Sequence, residues 1–143
     1  MRKEIFMRKL TLCFLFAGLL VAVLAMPAAV ADHSKGNVDE LRLGDRLGAD
    51  GEVAPHTGKD HFVPDTPIHI TMRVKEARKD TPLLVNIVDR QTEVLVWSNE
   101  KKVPGGHAVM HFLVERGELA SGKYRVRVKL GDDWVAEHEF LIE

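Results

Sequence analysis

The stretch YRVRVKLGDDWVAEHEFLI, residues 124–142, decides the fold. Apolar and polar side chains alternate on both sides of Gly131-Asp132-Asp133, as they do in strands with one buried and one solvated face. A short turn of this composition predicts two antiparallel strands, Tyr124 to Leu130 and Trp134 to Ile142. Setting Leu130 opposite Trp134 across a three-residue turn places Val128 with Ala136, Val126 with His138 and Tyr124 with Phe140 on one face. On the other face Arg127 meets Glu137 and Arg125 meets Glu139. A slip of one residue would turn the apolar set toward water and part the charge pairs, so this register is expected to be strongly preferred. Burial supplies most of that preference, because exposed ion pairs contribute only about 0–1 kcal/mol each.

Working outward, the same two-residue period recurs. Ile68, Ile70, Met72 and Val74 alternate with His69, Thr71 and Arg73, and Ala108, Met110, Phe112 and Val114 alternate with His107, Val109, His111 and Leu113. Leu83 to Val88 and Val94 to Trp97, parted by the turn-like Asp89-Arg90-Gln91-Thr92, predict a second hairpin. A further strand is expected over Val38 to Leu47. About seven short strands and no helix point to an all-β sandwich or barrel. Gly48 to Thr66, rich in Gly, Pro, His and Asp, is the one long irregular stretch, and loops of that length are usually functional or disordered.

Residues 1–31 predict export. Arg2, Lys3, Arg8 and Lys9 precede an uncharged run from Leu10 to Met26, then Pro27 and Ala29-Val30-Ala31 supply a helix stop and a cleavage site. The expected product is a signal-peptide helix, 1–31, and one domain, 32–143, beginning at Asp32 and released to the periplasm or the exterior. Met7 opens a complete signal of its own, and Cys13 reads as part of the apolar run. The competing reading is an uncleaved anchor, since about seventeen apolar residues is the lower limit for a bilayer span. Cleavage one residue later would expose His33 as an amino-terminal copper ligand, but it would put Asp32 where the peptidase requires a small side chain.

Four of the twenty basic and one of the twenty-one acidic residues lie in this leader, so the domain carries sixteen against twenty, a formal charge of minus four. That balance argues against nucleic acid as a partner. About 110 residues suffice for one hydrophobic core. The domain has no cysteine, so it is expected to hold together in an oxidising compartment without disulfides.

Leu43-Gly44, Asp50-Gly51, Phe62-x-Pro64-x-Thr66-x-Ile68 and Leu119-x-x-Gly122-x-Tyr124-x-Val126-x-Val128 resemble the small immunoglobulin-like and fibronectin-III-like domains of exported bacterial proteins. The resemblance covers nearly the whole domain and implies a single immunoglobulin-like antiparallel β-sandwich. It also implies that Tyr124, the only tyrosine, bonds its hydroxyl back to upstream backbone at the start of the penultimate strand. The inter-sheet cysteine pair of antibody domains is missing.

For chemistry the inventory is short. The domain has no thiol, Ser34, Ser98 and Ser121 lie outside any nucleophile-elbow pattern, and no glycine-rich phosphate loop precedes a helix, so neither catalysis nor a cofactor is expected. His56, Asp60, His61 and His69, with Asp65 beside them, form a candidate Zn²⁺ or Cu²⁺ set, although their spacing matches no recognised motif and solvated surface histidines are the competing reading. His107 and His111 share a strand face but sit about 13 Å apart at the usual rise, too far for one ion. Trp97, Val109, His111 and Leu113, with Leu95 and Leu141, are candidates for an exposed interaction patch. The expected function is a non-catalytic binding module of the cell envelope, recognising another envelope protein or a small ligand through an outer sheet face and the Gly48 to Thr66 loop. A metal-binding protein and a structural subunit of a surface assembly are the alternatives. Membrane contact is expected only through the signal peptide.

Overall fold

A computed structural model describes residues 36–54 and 58–143, and within them the alternating stretches form eight strands and no helix. The signal peptide, Cys13, His33 and His56 lie outside the described residues. The strands are β1 (Asn37–Gly44), β2 (His61–Phe62), β3 (Ile68–Ala77), β4 (Pro82–Asp89), β5 (Leu95–Lys102), β6 (Gly106–Val114), β7 (Gly122–Leu130) and β8 (Asp133–Ile142). They make a three-stranded sheet ordered β1-β3-β6 and a five-stranded sheet ordered β2-β8-β7-β4-β5, in a sandwich-like arrangement. The strand beyond the expected seven is β2, whose two residues pair parallel with the end of β8.

The core lies between the sheets and draws on the positions that the alternation marked. Ile68, Ile70, Met72, Val74, Phe112 and Val114 from the three-stranded sheet meet Leu83, Val85, Ile87, Val126, Val128 and Leu130 from the other, all at most 1% exposed. Each such side chain contributes about 1.5–3 kcal/mol by leaving water. Phe62 and Tyr124 pack on Phe140 with ring centroids 5.9 and 5.4 Å away. The Tyr124 hydroxyl donates to the Ala120 carbonyl at 2.6 Å, the upstream backbone bond that the resemblance implied.

In the C-terminal hairpin Val128 faces Ala136, Val126 faces His138, Tyr124 faces Phe140, and Arg127 and Arg125 face Glu137 and Glu139, as expected. The turn end corrects the expected register, because Leu130 pairs with Asp133 and Lys129 with Trp134. Gly131, at φ +61, opens a two-residue turn of the kind that needs positive φ at its first position. Val135 then forms a bulge that restores the frame. The bulge sends Trp134 to the outer face, where the Arg127 guanidinium lies 4.2 Å from its ring centre.

Two strand boundaries also differ from expectation. The first strand ends at Gly44 rather than Leu47, after a bulge at Glu40 and Leu41 in which Glu40 takes φ +54. Strand β5 runs on to Lys102 through polar residues, because it is the edge of its sheet and needs no apolar alternation. Lys101 points inward from that edge, its ammonium 4.9 Å from the centre of the Phe112 ring and bonded to the His111 carbonyl. An inward charge on an edge strand opposes pairing with another chain.

Candidate functional site

Outward-facing side chains of the three-stranded sheet follow from its register. In β3 these are His69, Thr71, Arg73 and Lys75, opposite Leu113, His111, Val109 and, beyond them, His107 of β6. The β1 side of this face is covered by part of the long loop. Val53 is fully buried, its N–H donates to Thr71 Oγ1 at 3.1 Å and its carbonyl accepts from Arg42 at 3.1 Å. Gly44 makes this approach possible, since a Cβ there would stand 2.8 Å from a Val53 methyl.

Next to Val53, Glu52 is 6% exposed, and its carboxylate receives Arg73 Nε and Nη2 at 3.1–3.2 Å. Glu40 holds the other side of the cluster, accepting from Arg42 at 2.6 Å and Arg73 at 3.1 Å. The hydrogen bond to Glu52, then the charges of Glu40 and Glu52, raise the Arg73 pKa further. Of the pair only Glu52 is buried, while Arg73 reaches solvent, so losing Arg73 would leave the Glu52 carboxylate short of hydrogen bonds, and the cluster ties this strap of the loop to the sheet. Beyond it a recess of about 280 Å³ opens, lined by Glu52, Arg73, Lys75, His107 and Val109.

The β6 side of the face stays open. Val109 is 45% exposed, while Leu113 and His111 are half-buried. His69 and His111 lie on adjacent strands one diagonal apart, within the reach of long side chains across a sheet. His69 Nδ1 stands 2.9 Å from His111 Nε2, and the two rings are stacked with centroids 5.1 Å apart and planes at 18°. Burial first, then the nearby charges of His69 and Lys101, hold the His111 pKa below its usual value.

The structure divides the candidate metal set. His69 lies on the outer face of the three-stranded sheet, whereas Asp60 and His61 lie against β8 of the other sheet. Asp60 Oδ1 is bonded to His138 Nε2, and His61 is an exposed residue 3.8 Å from Glu143. Asp65 takes φ +64 in the turn before β3. Among the described residues no group of three or more His, Cys, Asp or Glu side chains is placed to hold a metal.

The candidate interaction residues also separate. Val109, His111 and Leu113 share the open face, but Trp97 belongs to β5 of the five-stranded sheet. There it sits opposite the buried Ile87, packs partly on the core, and donates from Nε1 to Glu118 at 3.1 Å. Leu95, on the same strand, is 51% exposed. The pairing of His69 with His111 and the role of Val53 were not read from the sequence. The first was accessible by aligning the apolar positions of β3 with those of β6, while the second, a lone valine in a polar loop, left no pattern.

No family model matches the chain, and no curated protein matches it. Among solved structures the chain is similar to a beta-glucosidase from Listeria innocua in complex with glucose, at 14% identity and a TM-score of 0.44. A second structure, of the beta-glucosidase from Listeria innocua in complex with gluconolactone, matches with the same identity and TM-score. Each likeness covers 75% of this chain, which spans 16% of the length of those chains.

Proposed function

We propose that this chain is an exported, non-catalytic binding module of the immunoglobulin-like or fibronectin-III-like type, and that it contacts another envelope protein through the open side of its three-stranded sheet. The type is supported by the strand order β1-β3-β6 against β2-β8-β7-β4-β5 and by the bond from the Tyr124 hydroxyl to upstream backbone. Export rests on the leader pattern of residues 1–31. The observation that carries the contact surface is the division of one sheet face. Its β1 side is sealed by Glu52 and Val53, and its β6 side leaves Val109 exposed beside Leu113 and His111. The loop and the sheet face, two separate candidates in the sequence, thus adjoin in one surface.

The test is crosslinking in cells of the source organism with a tagged chain, comparing the natural protein with Val109→Asp and Leu113→Asp. Both substitutions add charge on the outer face and leave the core untouched. One partner captured in stoichiometric amount by the natural chain and lost from both variants is the expected outcome. Recovery of the chain alone, or equal capture by all three, would end this assignment.

A further inference from the structure

We propose that His69 and His111 form an acid-operated switch on the open face of the three-stranded sheet, a pair that stays joined after one proton is added and parts when both rings are charged. The bond between them sets this order. His69 Nδ1 and His111 Nε2 stand 2.9 Å apart, the distance of a hydrogen bond, so a single proton lies between them and one ring donates to the other. In the neutral pair the donor ring keeps a lone pair on its remote nitrogen, whereas the acceptor ring carries its proton there. An added proton therefore settles on the remote nitrogen of the donor ring. The facing bond survives and becomes charge-assisted, the stronger kind. A second proton finds only the facing nitrogen of the acceptor ring. Two N–H groups then point at each other, and two positive rings with centroids 5.1 Å apart repel.

The surroundings leave the pair to its own charge. Gly44 of β1, opposite His69 on one side, has no side chain. On the same face Arg42 and Arg73 are held by Glu40 and Glu52, and Asp45, just beyond Gly44, is held by Lys59. His107, farther along β6, lies about 13 Å from His111 at the usual rise. From β5, Lys101 is bonded to the His111 carbonyl and brings a further positive charge. Among the described residues no carboxylate is bonded to either ring, so none offsets the second proton. Burial first, then the charges of His69 and Lys101, lower the His111 pKa, in keeping with late uptake of that proton. The strands below are paired without a break from Ile68 to Val74, so parting requires a half-buried ring to turn toward water while the backbone stays in place. That turn takes place beside Val109 and Leu113, and acid thereby reshapes the docking face. This last consequence rests on the docking reading above, and the switch itself does not.

The experiment is a pH titration of the exported chain, purified through a tag without histidine and followed by NMR of the histidine ring nitrogens and of the Val109 and Leu113 methyls. The expected result is uptake of two protons by the pair in steps about one pH unit or more apart, as strongly interacting sites show. Nuclear Overhauser contacts between the two rings should persist through the first step and vanish at the second, with the methyl signals moving at the second. In His69→Gln and in His111→Gln the remaining ring should take up its proton in one step, and the later methyl transition should be missing. His107→Gln should keep both steps. Ring contacts that outlast both protons, or a titration of each ring that ignores replacement of the other, would overturn the assignment. So would loss of core signals such as those of Phe112 at the second step, because the sandwich would then be unfolding instead of parting locally. Every readout uses the chain alone, so the switch stands or falls separately from capture of a partner.

Discussion

Replacing Tyr124 by phenylalanine removes one oxygen and leaves the packing of the ring in place. The ring is 4% exposed and stacked on Phe140, and its hydroxyl gives one 2.6 Å bond to the Ala120 carbonyl. A hydrogen bond of this kind contributes about 0.5–1.5 kcal/mol net. Ala120 lies at the surface, so water can reach its freed carbonyl and the expected loss is about 1 kcal/mol. For a domain of this size that lowers the melting temperature by about 4 °C. Tyr124→Ala also opens a cavity beside Phe140 and should cost about 3–5 kcal/mol. The residue offers a second readout, because burial and then the charge of Asp89 raise the phenol pKa above its ordinary value of 10.0. A raised pKa contributes stability that is complete below the unfolded value and is lost as pH rises through the folded one, so the natural domain should weaken above about pH 10. Tyr124→Phe should show a shallower alkaline slope. Urea unfolding at neutral and alkaline pH measures both effects, and absorbance of tyrosinate reports this one residue, since the chain has a single tyrosine. Equal stability of Tyr124→Phe and the natural chain at neutral pH, together with the same alkaline slope in both, would refute the reasoning.

Phe112→Ala, at a fully buried ring between the sheets, should cost about 3–5 kcal/mol in the same urea assay. Val53→Ala withdraws methyl groups from the filled contact over Gly44 and should cost about 1–2 kcal/mol, and Gly44→Ala should also destabilise, because its new Cβ meets Val53 at 2.8 Å. Hydrogen exchange at the Val53 amide, bonded to Thr71, would report loosening of the strap in both variants. Burial first, then the charges of His69 and Lys101, hold the His111 pKa below its ordinary value of 6.5. Its contribution is therefore complete above about pH 6.5 and is lost as pH falls through the folded value. The His111→Gln variant should show a shallower loss of stability in unfolding measured across that acid range.

Much of the core was legible because β3, β6 and β7 alternate cleanly, so Ile68, Phe112 and Val126 announced their own burial. The C-terminal hairpin was legible away from its turn, where cross-strand charges and apolar pairs agreed. Near the turn they did not decide, because a three-residue turn without a bulge and a two-residue turn with Val135 bulged give the same pairing from Val128 onward. Strand β5 was half hidden, since an edge strand can carry Ser98 to Lys102 at little cost in burial. A bulge at Val96, opposite Ile87 and Val88, also set Trp97 inward, which alternation alone could not indicate. The histidine pair needed a register between residues 42 positions apart. Spacing along one strand argued against His107 and His111 sharing an ion and was silent on a neighbour across the sheet.

The short pairing of β2 with β8 bears on how the fold responds to force. His61 and Phe62 run parallel to Leu141 and Ile142, held by bonds from the Leu141 amide to the Asp60 carbonyl and from the Glu143 amide to the Phe62 carbonyl. Tension drawn backward along β2 and forward along β8 slides parallel strands past each other, so both bonds bear the load at once instead of opening in turn. Slippage would also pull Phe62 away from Phe140 and out of the core. A two-residue strand thus serves as a shear latch against tension drawn along β2 and β8 themselves.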